Sequence, residues 1–103
     1  MNMNDYQSEA LNFRVPSADE YYATLNIAGE VGELLGLMAK ARRDGRKMDY
    51  DLNIKKELGD ILWHVAAIAS DHGYTLDDIA KGNIWKLSAR KEANTIQGSG
   101  DDR

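Results

Sequence analysis

Apolar residues recur every three or four positions along most of the chain, and clusters of β-branched residues are few. This spacing places apolar side chains on one face of a helix, so we predict an all-α fold. Turn and capping signals divide the pattern into separate helices. The predicted spans are about 5–13, 18–43, 50 or 52 to 72, and 76–91.

The ends of these helices are predicted from the residues that cap or stop a helix. Asn4 is the candidate cap of the first helix, and Ser17 is expected to open the second through a capping box with Glu20. The remaining predicted signals are Pro16, Gly45 and Gly73 as stops and Thr75 as the last start.

The residues after the fourth helix differ in composition from the rest of the chain. Residues 92–103 are mostly polar, with glycines at 98 and 100. Such a segment is flexible unless substrate or a partner subunit orders it. We therefore predict a single domain over residues 1–103 that ends in a polar tail.

One segment of the second helix is repeated in the third. Residues 27–35 align without gaps on residues 54–62, and both copies carry Ile, Glu, Gly and Leu at the same positions. Helices joined by a short connection pack antiparallel. The repeat therefore predicts a central antiparallel helical hairpin in which the two copies face each other.

Each copy carries two acids three positions apart, Glu30 with Glu33 and Glu57 with Asp60. Residues at this spacing share a helix face, and their apolar neighbours place that face at the seam between the helices. Carboxylates gathered at a seam repel each other unless protons, bases or cations neutralise them. Oxygen ligands favour Mg²⁺, with Mn²⁺ as a substitute, and Mg²⁺ often binds substrate phosphates as well.

The simpler interpretation of such pairs is a solvated acidic face, which is the usual one for a single pair. Gly32 and Gly59, each between two acids, favour the metal, because glycine destabilises a helix by roughly 1 kcal/mol relative to alanine. We predict that these glycines make room beside the acids for close packing or for a ligand.

Composition excludes several other chemistries. The chain has no cysteine and a net charge of −4, so disulfides, thiolate metal sites and cysteine nucleophiles are excluded. Basic residues are dispersed apart from a group at 40–47, and we do not expect binding to long nucleic acids. Neither a secretory signal nor a membrane helix is expected, which predicts a cytoplasmic protein.

With its motifs assembled, the chain resembles the MazG-like nucleoside triphosphate pyrophosphohydrolases of the all-α NTP pyrophosphatase superfamily. Its ExxE motif at 30–33, ExxD motif at 57–60 and NxxKLxxR motif at 83–90 match, as does the opening Tyr6-Gln7. The tail at 98–103 resembles that of short phage-type members.

The resemblance implies hydrolysis of a nucleoside or deoxynucleoside triphosphate to the monophosphate and pyrophosphate, with two or more Mg²⁺ ions per site. It also implies a homodimer or a homotetramer built as a dimer of dimers, with sites partly at subunit interfaces. A phage-encoded member would work in the host cytoplasm.

Roles for individual residues are predicted from their positions together with the resemblance. Glu30 would orient the attacking water, although many relatives carry a further acid where this chain has Gly29, and no role is carried over to that position. His64 is interpreted as a seam histidine that satisfies its own hydrogen bond. The implied metal ligands are Glu30, Glu33, Glu57 and Asp60, and the implied substrate-binding residues are Asn83, Lys86 and Arg90. Trp63 is a further candidate that could stack on a base, although an aromatic residue at helical spacing more often belongs to a core or to an oligomer interface.

Two alternatives stay open. A non-catalytic helical dimerisation module would pair the same acids with lysines across an interface. A pyrophosphohydrolase of phosphoribosyl-ATP or of a nucleotide sugar would use the same acidic motifs. A di-iron carboxylate bundle is disfavoured because neither histidine lies three positions after a glutamate. Among triphosphates we favour purines such as dGTP.

Overall fold

The computed structural model describes residues 1–102 and shows helices joined by short connections. They are α1 (Met3–Leu11), α2 (Glu20–Asp44), α3 (Tyr50–Asp71) and α4 (Leu76–Glu92). The described residues contain no strand, so the predicted all-α class with four helices is confirmed. None of these helices is both long and apolar enough to cross a bilayer. Arg103, the last residue of the predicted tail, lies outside the described residues.

The first helix begins earlier than predicted. Its cap is Asn2, whose side chain accepts a hydrogen bond from the Asp5 amide at 2.8 Å. The prediction of Asn4 as the cap is wrong, because the Asn4 side chain accepts from the Asp77 amide at 3.1 Å instead. That residue therefore ties α1 to the start of α4, a role that depends on a distant part of the chain.

The second helix begins later than predicted. A turn closed by the bond from the Ala18 amide to the Val15 carbonyl, at 3.0 Å, keeps Ser17 outside the helix. The cap is Asp19, whose side chain accepts from the Tyr21 amide at 3.0 Å. The predicted capping box at Ser17 is therefore wrong.

Other predicted signals are confirmed. Gly45 ends α2 with a φ of +89°, and Gly73 follows the cap of α3 with a φ of +78°. α4 opens with a capping box in which the Thr75 hydroxyl accepts from the Asp78 amide at 3.1 Å. Local sequence thus determines these boundaries well.

The end of α4 carries a turn that the sequence did not indicate. Asn94 has a φ of +59°, and the Thr95 amide bonds back to the Arg90 carbonyl at 2.8 Å. This is a Schellman turn, and asparagine tolerates its left-handed position better than most residues do. The chain therefore reverses direction after α4.

Helices α2 and α3 form the predicted antiparallel hairpin. The ring of Tyr22, near the start of α2, stacks on His64, in the second half of α3, with centroids 6.5 Å apart. At the other end Ala41 lines a groove together with Tyr50, the first residue of α3. Early residues of one helix meet late residues of the other, and the repeated segments therefore lie opposite each other.

Both α1 and α4 are fastened to α3 through the buried side chain of Gln7. Its Nε2 donates to the carbonyls of Ala66 at 3.1 Å and Tyr74 at 3.2 Å, and its Oε1 accepts from the Leu76 amide at 3.0 Å. A buried amide group must be satisfied at both ends, as this one is. One side chain therefore connects three helices.

The apolar core of the protomer is small. Its enclosed apolar residues are almost all alanines, and no large side chain in residues 1–102 is completely buried. Large apolar side chains lie on the surface, among them Leu25 and Trp85, each 73% exposed. The Cα radius of gyration is 16.5 Å, compared with about 13 Å for a compact chain of 100 residues. A single chain therefore leaves apolar surface uncovered.

Candidate metal centre

Carboxylates from α2 and α3 converge at the seam of the hairpin. Glu30, Glu33 and Glu57 each offer one carboxylate oxygen, and these oxygens all lie within 4.8 Å of one another. The i, i+3 spacing presents Glu30 and Glu33 on one face of α2, and the antiparallel pairing brings Glu57 opposite them. We call these three residues the acidic cluster.

Two oxygens of the acidic cluster are buried without a hydrogen-bond partner. They are Oε2 of Glu30 and Oε2 of Glu57. An unpaired buried carboxylate oxygen is unfavourable, and a neighbouring carboxylate adds repulsion. The donor set is all oxygen and strongly negative, which fits a hard divalent cation.

The ionisation of Glu57 reflects these surroundings. Its pKa is raised, first because burial disfavours the charged form and then because of a hydrogen bond with Glu33. The negative charges of Glu33, Asp60 and Glu30 raise the pKa further. Without a cation, Glu57 therefore holds its proton to a higher pH than an isolated glutamate does.

Asp60 lies at the edge of the acidic cluster. It is exposed, and it is not among the three residues whose oxygens meet within 4.8 Å. Its charge nevertheless raises the pKa of Glu57 and, after the larger effect of burial, that of Tyr6 on α1. Asp60 is thus close enough to act on the site, and its role as a ligand stays a prediction.

The glycines between the acids face open space. A Cβ added to Gly32 or Gly59 would meet no atom within 4 Å. Close packing of α2 on α3 within the protomer is therefore not the reason for these glycines. The other predicted reason, room for a ligand, stays a prediction.

The predicted phosphate-binding cations form a second cluster on α4. Lys86 Nζ and Arg90 Nη2 each lie 3.2 Å from Oδ1 of Asp101, and Nη2 also donates to the Asp101 carbonyl at 3.0 Å. Hydrogen bonds from Lys86 and then Arg90 hold the pKa of Asp101 below its ordinary value. Arg90 is buried, whereas Asn83, the third predicted substrate contact on this helix, is exposed. We call Lys86, Arg90 and Asp101 the basic cluster.

The two clusters are not joined within residues 1–102. Helix α4 packs on α1 and α3 and not on α2. No ion pair between described residues links Lys86 or Arg90 to the acidic cluster. One protomer thus assembles the acids in one place and the cations in another.

Two neighbouring rings on α3 contribute to the packing of the protomer, with centroids 5.1 Å apart. The Nε1 of Trp63 donates to the Ala10 carbonyl at 2.9 Å, which anchors α1. His64 is buried, and its Nδ1 lies 2.7 Å from the Asp60 carbonyl. Because a carbonyl only accepts, Nδ1 carries the proton. His64 therefore lies at the seam and forms its hydrogen bond within its own helix, as predicted.

No sequence pattern indicated a role for Tyr6, Gln7 or Asp101. Tyr6 is half-buried, and its pKa is raised by burial and then by the negative charge of Asp60. Gln7 joins three helices. The resemblance of this opening to the family was the available signal for the first two. The position of Asp101 depends on a chain reversal that no local pattern indicated.

Comparison with known proteins identifies the domain. Residues 20–94 match the MazG nucleotide pyrophosphohydrolase domain. The chain is 36% identical over 85 residues to the Gene 37 protein of Mycobacterium phage L5, a match that covers 80% of this chain and 75% of the relative. No solved structure matches the chain. The matched span includes both acidic motifs and the NxxKLxxR motif, and the chain belongs to the MazG nucleotide pyrophosphohydrolase family as a short, phage-type member.

Proposed function

We propose that this protein hydrolyses nucleoside and deoxynucleoside triphosphates to the monophosphate and pyrophosphate in a reaction that requires Mg²⁺. The observation that carries the proposal is the acidic cluster, with its two buried and unpartnered oxygens, in a chain of the MazG family. A triphosphate is the kind of ligand that can share metal ions with such a cluster.

The residues that would hold the metal are Glu30, Glu33 and Glu57, with Asp60 at the edge of the site. Their oxygens suit Mg²⁺, with Mn²⁺ as a substitute, and more than one ion per site is consistent with this number of carboxylates. Bound metal would supply positive charge against the phosphates and would make a water more acidic.

The side chains of this protein would position and neutralise the substrate. Oε2 of Glu30 has no hydrogen-bond partner, so it is our candidate for orienting the attacking water. Lys86 and Arg90 would bind phosphate oxygens, and exposed Asn83 would contact the sugar or a phosphate. Such positioning and charge neutralisation are the main contributions that proteins make to phosphoryl transfer.

A second copy of the chain would bring the two clusters together. Lys86 and Arg90 lie on a helix that does not contact α2 in the protomer, and large apolar side chains are exposed. We propose a homodimer or homotetramer in which α4 of one subunit faces the acidic cluster of another. Burial of the exposed apolar surface would stabilise that assembly.

Substrate choice is proposed from the family and the rings near the site. Canonical triphosphates, with a preference for purines such as dGTP, are our candidates, and Trp63 is our candidate for stacking on the base. The cytoplasm, or the host cytoplasm for a phage protein, is where such a substrate pool occurs.

An assay for pyrophosphate release tests the proposal. The protein is incubated with each triphosphate, with Mg²⁺ or with EDTA, beside Glu33→Gln and the matched control Glu9→Gln on the exposed side of α1. We expect pyrophosphate only with metal, and only from the wild-type protein and the Glu9 variant. The proposal fails if none of the triphosphates yields pyrophosphate, or if Glu33→Gln is as active as the wild-type protein.

A further inference from the structure

Residues 95–102 of the tail fold back along α4. The Schellman turn at Asn94 starts this reversal, and a second turn, from the Gly98 amide to the Thr95 carbonyl at 3.1 Å, continues it. Gly100 adopts a φ of +82°, which favours glycine. These turns bring Asp101 back to α4, 11 positions from Arg90 in sequence.

The two partners in the contact between the tail and α4 differ in burial. The Arg90 side chain is only 9% exposed, whereas that of Asp101 is 81% exposed. Asp101 satisfies the two cations through its carboxylate and its carbonyl. An ion pair in which one partner is in water contributes little to stability, so the tail can be displaced readily.

We propose that the tail is a displaceable latch, in which the Asp101 carboxylate occupies the position that phosphate oxygens take on Lys86 and Arg90. The inference rests on the proposed function in one respect, because it takes these cations as the phosphate-binding pair. Carboxylate and phosphate present similar anionic oxygens to a guanidinium and an ammonium group. Asp101 and a polyphosphate therefore compete for one place.

Competition of this kind lowers the apparent affinity for phosphate. A ligand that binds only the open form has its affinity reduced by the fraction of molecules that are open. The latch would thus set the nucleotide concentration at which the cations become occupied. Release of the product pyrophosphate would also be assisted, because the tail can return to Lys86 and Arg90 as the product leaves.

Titration with inorganic tripolyphosphate in EDTA, at low salt, tests the latch apart from metal binding and hydrolysis. The variant is Asp101→Asn, and the matched control is Asp102→Asn, which removes the same charge from the next residue. No ion pair within residues 1–102 involves Asp102. We expect calorimetry to show tripolyphosphate binding about three- to tenfold tighter in Asp101→Asn than in Asp102→Asn.

Other outcomes of the titration overturn the latch. Equal affinity in the two variants would show that Asp101 does not compete. Weaker binding to Asp101→Asn would show that Asp101 orients the cations for the ligand. Adding Lys86→Gln to Asp101→Asn should remove the gain, and a gain that persists would place the anion elsewhere.

Hydrogen exchange supplies a second readout on the wild-type protein. Saturating tripolyphosphate should speed amide exchange in residues 95–102, because the tail is released. Slower exchange there would mean that the tail closes over the ligand, which contradicts displacement. Neither experiment involves turnover, so a protein that shows the latch but releases no pyrophosphate would refute only the proposed reaction.

Discussion

The acidic and basic clusters differ in how their charges are balanced. Three glutamates meet at the hairpin seam, and two of their oxygens are buried without a partner. Burial, followed by the hydrogen bond and the negative charges of its neighbours, raises the pKa of Glu57. On α4 the two cations meet an aspartate of the same chain. Folding satisfies the basic cluster and leaves the acidic cluster unsatisfied.

This difference indicates what each cluster needs from outside. The acidic cluster keeps uncompensated negative charge, because no ion pair between described residues involves its glutamates. The basic cluster already has an anion, so any phosphate must displace it. On the proposed function we therefore expect metal to bind strongly at the acidic cluster and the phosphates of the substrate to bind weakly at the basic cluster.

The largest effect is expected from Glu57→Gln. This change removes a predicted metal ligand while keeping the side chain nearly isosteric, and we expect kcat/KM for pyrophosphate release to fall by about 10²-fold or more. Steady-state assays over a range of Mg²⁺ concentrations measure the loss.

The contrasting variant Lys86→Gln should mainly raise KM, by about tenfold, because it removes one charge-assisted contact with phosphate. Similar losses of kcat in both variants would remove the distinction between the clusters.

The next effect concerns metal and stability. A ligand that binds only the folded protein stabilises it by about 2.7 kcal/mol when present at 100 times its Kd. We therefore expect Mg²⁺ to raise the thermal unfolding temperature of the wild-type protein and not that of Glu57→Gln. In EDTA the order should reverse, with Glu57→Gln unfolding at the higher temperature because one repelling charge is gone. An equal response of both proteins to Mg²⁺ would contradict binding at this cluster, and a dimerisation module would show no response.

The sequence predicts the acidic cluster better than the basic one for a physical reason. Glu30 and Glu33 share a face because of local helical spacing, and a short connection forces Glu57 opposite them. The pairing of Lys86 and Arg90 with Asp101 depends on the chain reversal at Asn94. No periodic pattern in the sequence encodes that reversal. Local signals predict elements and faces, whereas contacts between distant segments need the folded chain.

The same limit explains the errors at the helix starts. Asn4 and Asn2 are both good caps by composition, and the choice depends on Asn4 being used by α4. The role of Gln7 as a connector of three helices likewise depends on where Ala66 and Leu76 lie after folding. The small core was also hidden, because the apolar fraction of a sequence does not reveal which apolar side chains stay exposed on the folded protomer.

A smaller effect is expected from pH in the metal-free protein. The pKa of Glu57 in the folded protein is raised above its ordinary value of 4.5, so the folded state binds more protons than the unfolded chain between the two pKa values. Its contribution to stability is therefore complete below pH 4.5 and is lost as pH rises through the raised pKa. Thermal unfolding in EDTA across this range should show a steeper decline in the wild-type protein than in Glu57→Gln. Parallel curves would mean that Glu57 does not titrate in this way, and the lowered pKa of Asp101 affects both proteins equally.

The smallest effect separates two roles of Trp63, whose indole N–H bonds to α1. Trp63→Phe keeps an aromatic face and removes the donor that bonds to the Ala10 carbonyl. That carbonyl still accepts from the Phe13 amide at 3.2 Å, so no buried acceptor is orphaned. The loss should be about 1 kcal/mol of unfolding free energy, which chemical denaturation can measure, with KM for the triphosphate unchanged. Trp63→Leu removes the face as well, and stacking on the base predicts a higher KM in that variant alone. A rise in KM for Trp63→Phe with no loss of stability would instead make the indole N–H a substrate contact and leave α1 held by Gln7.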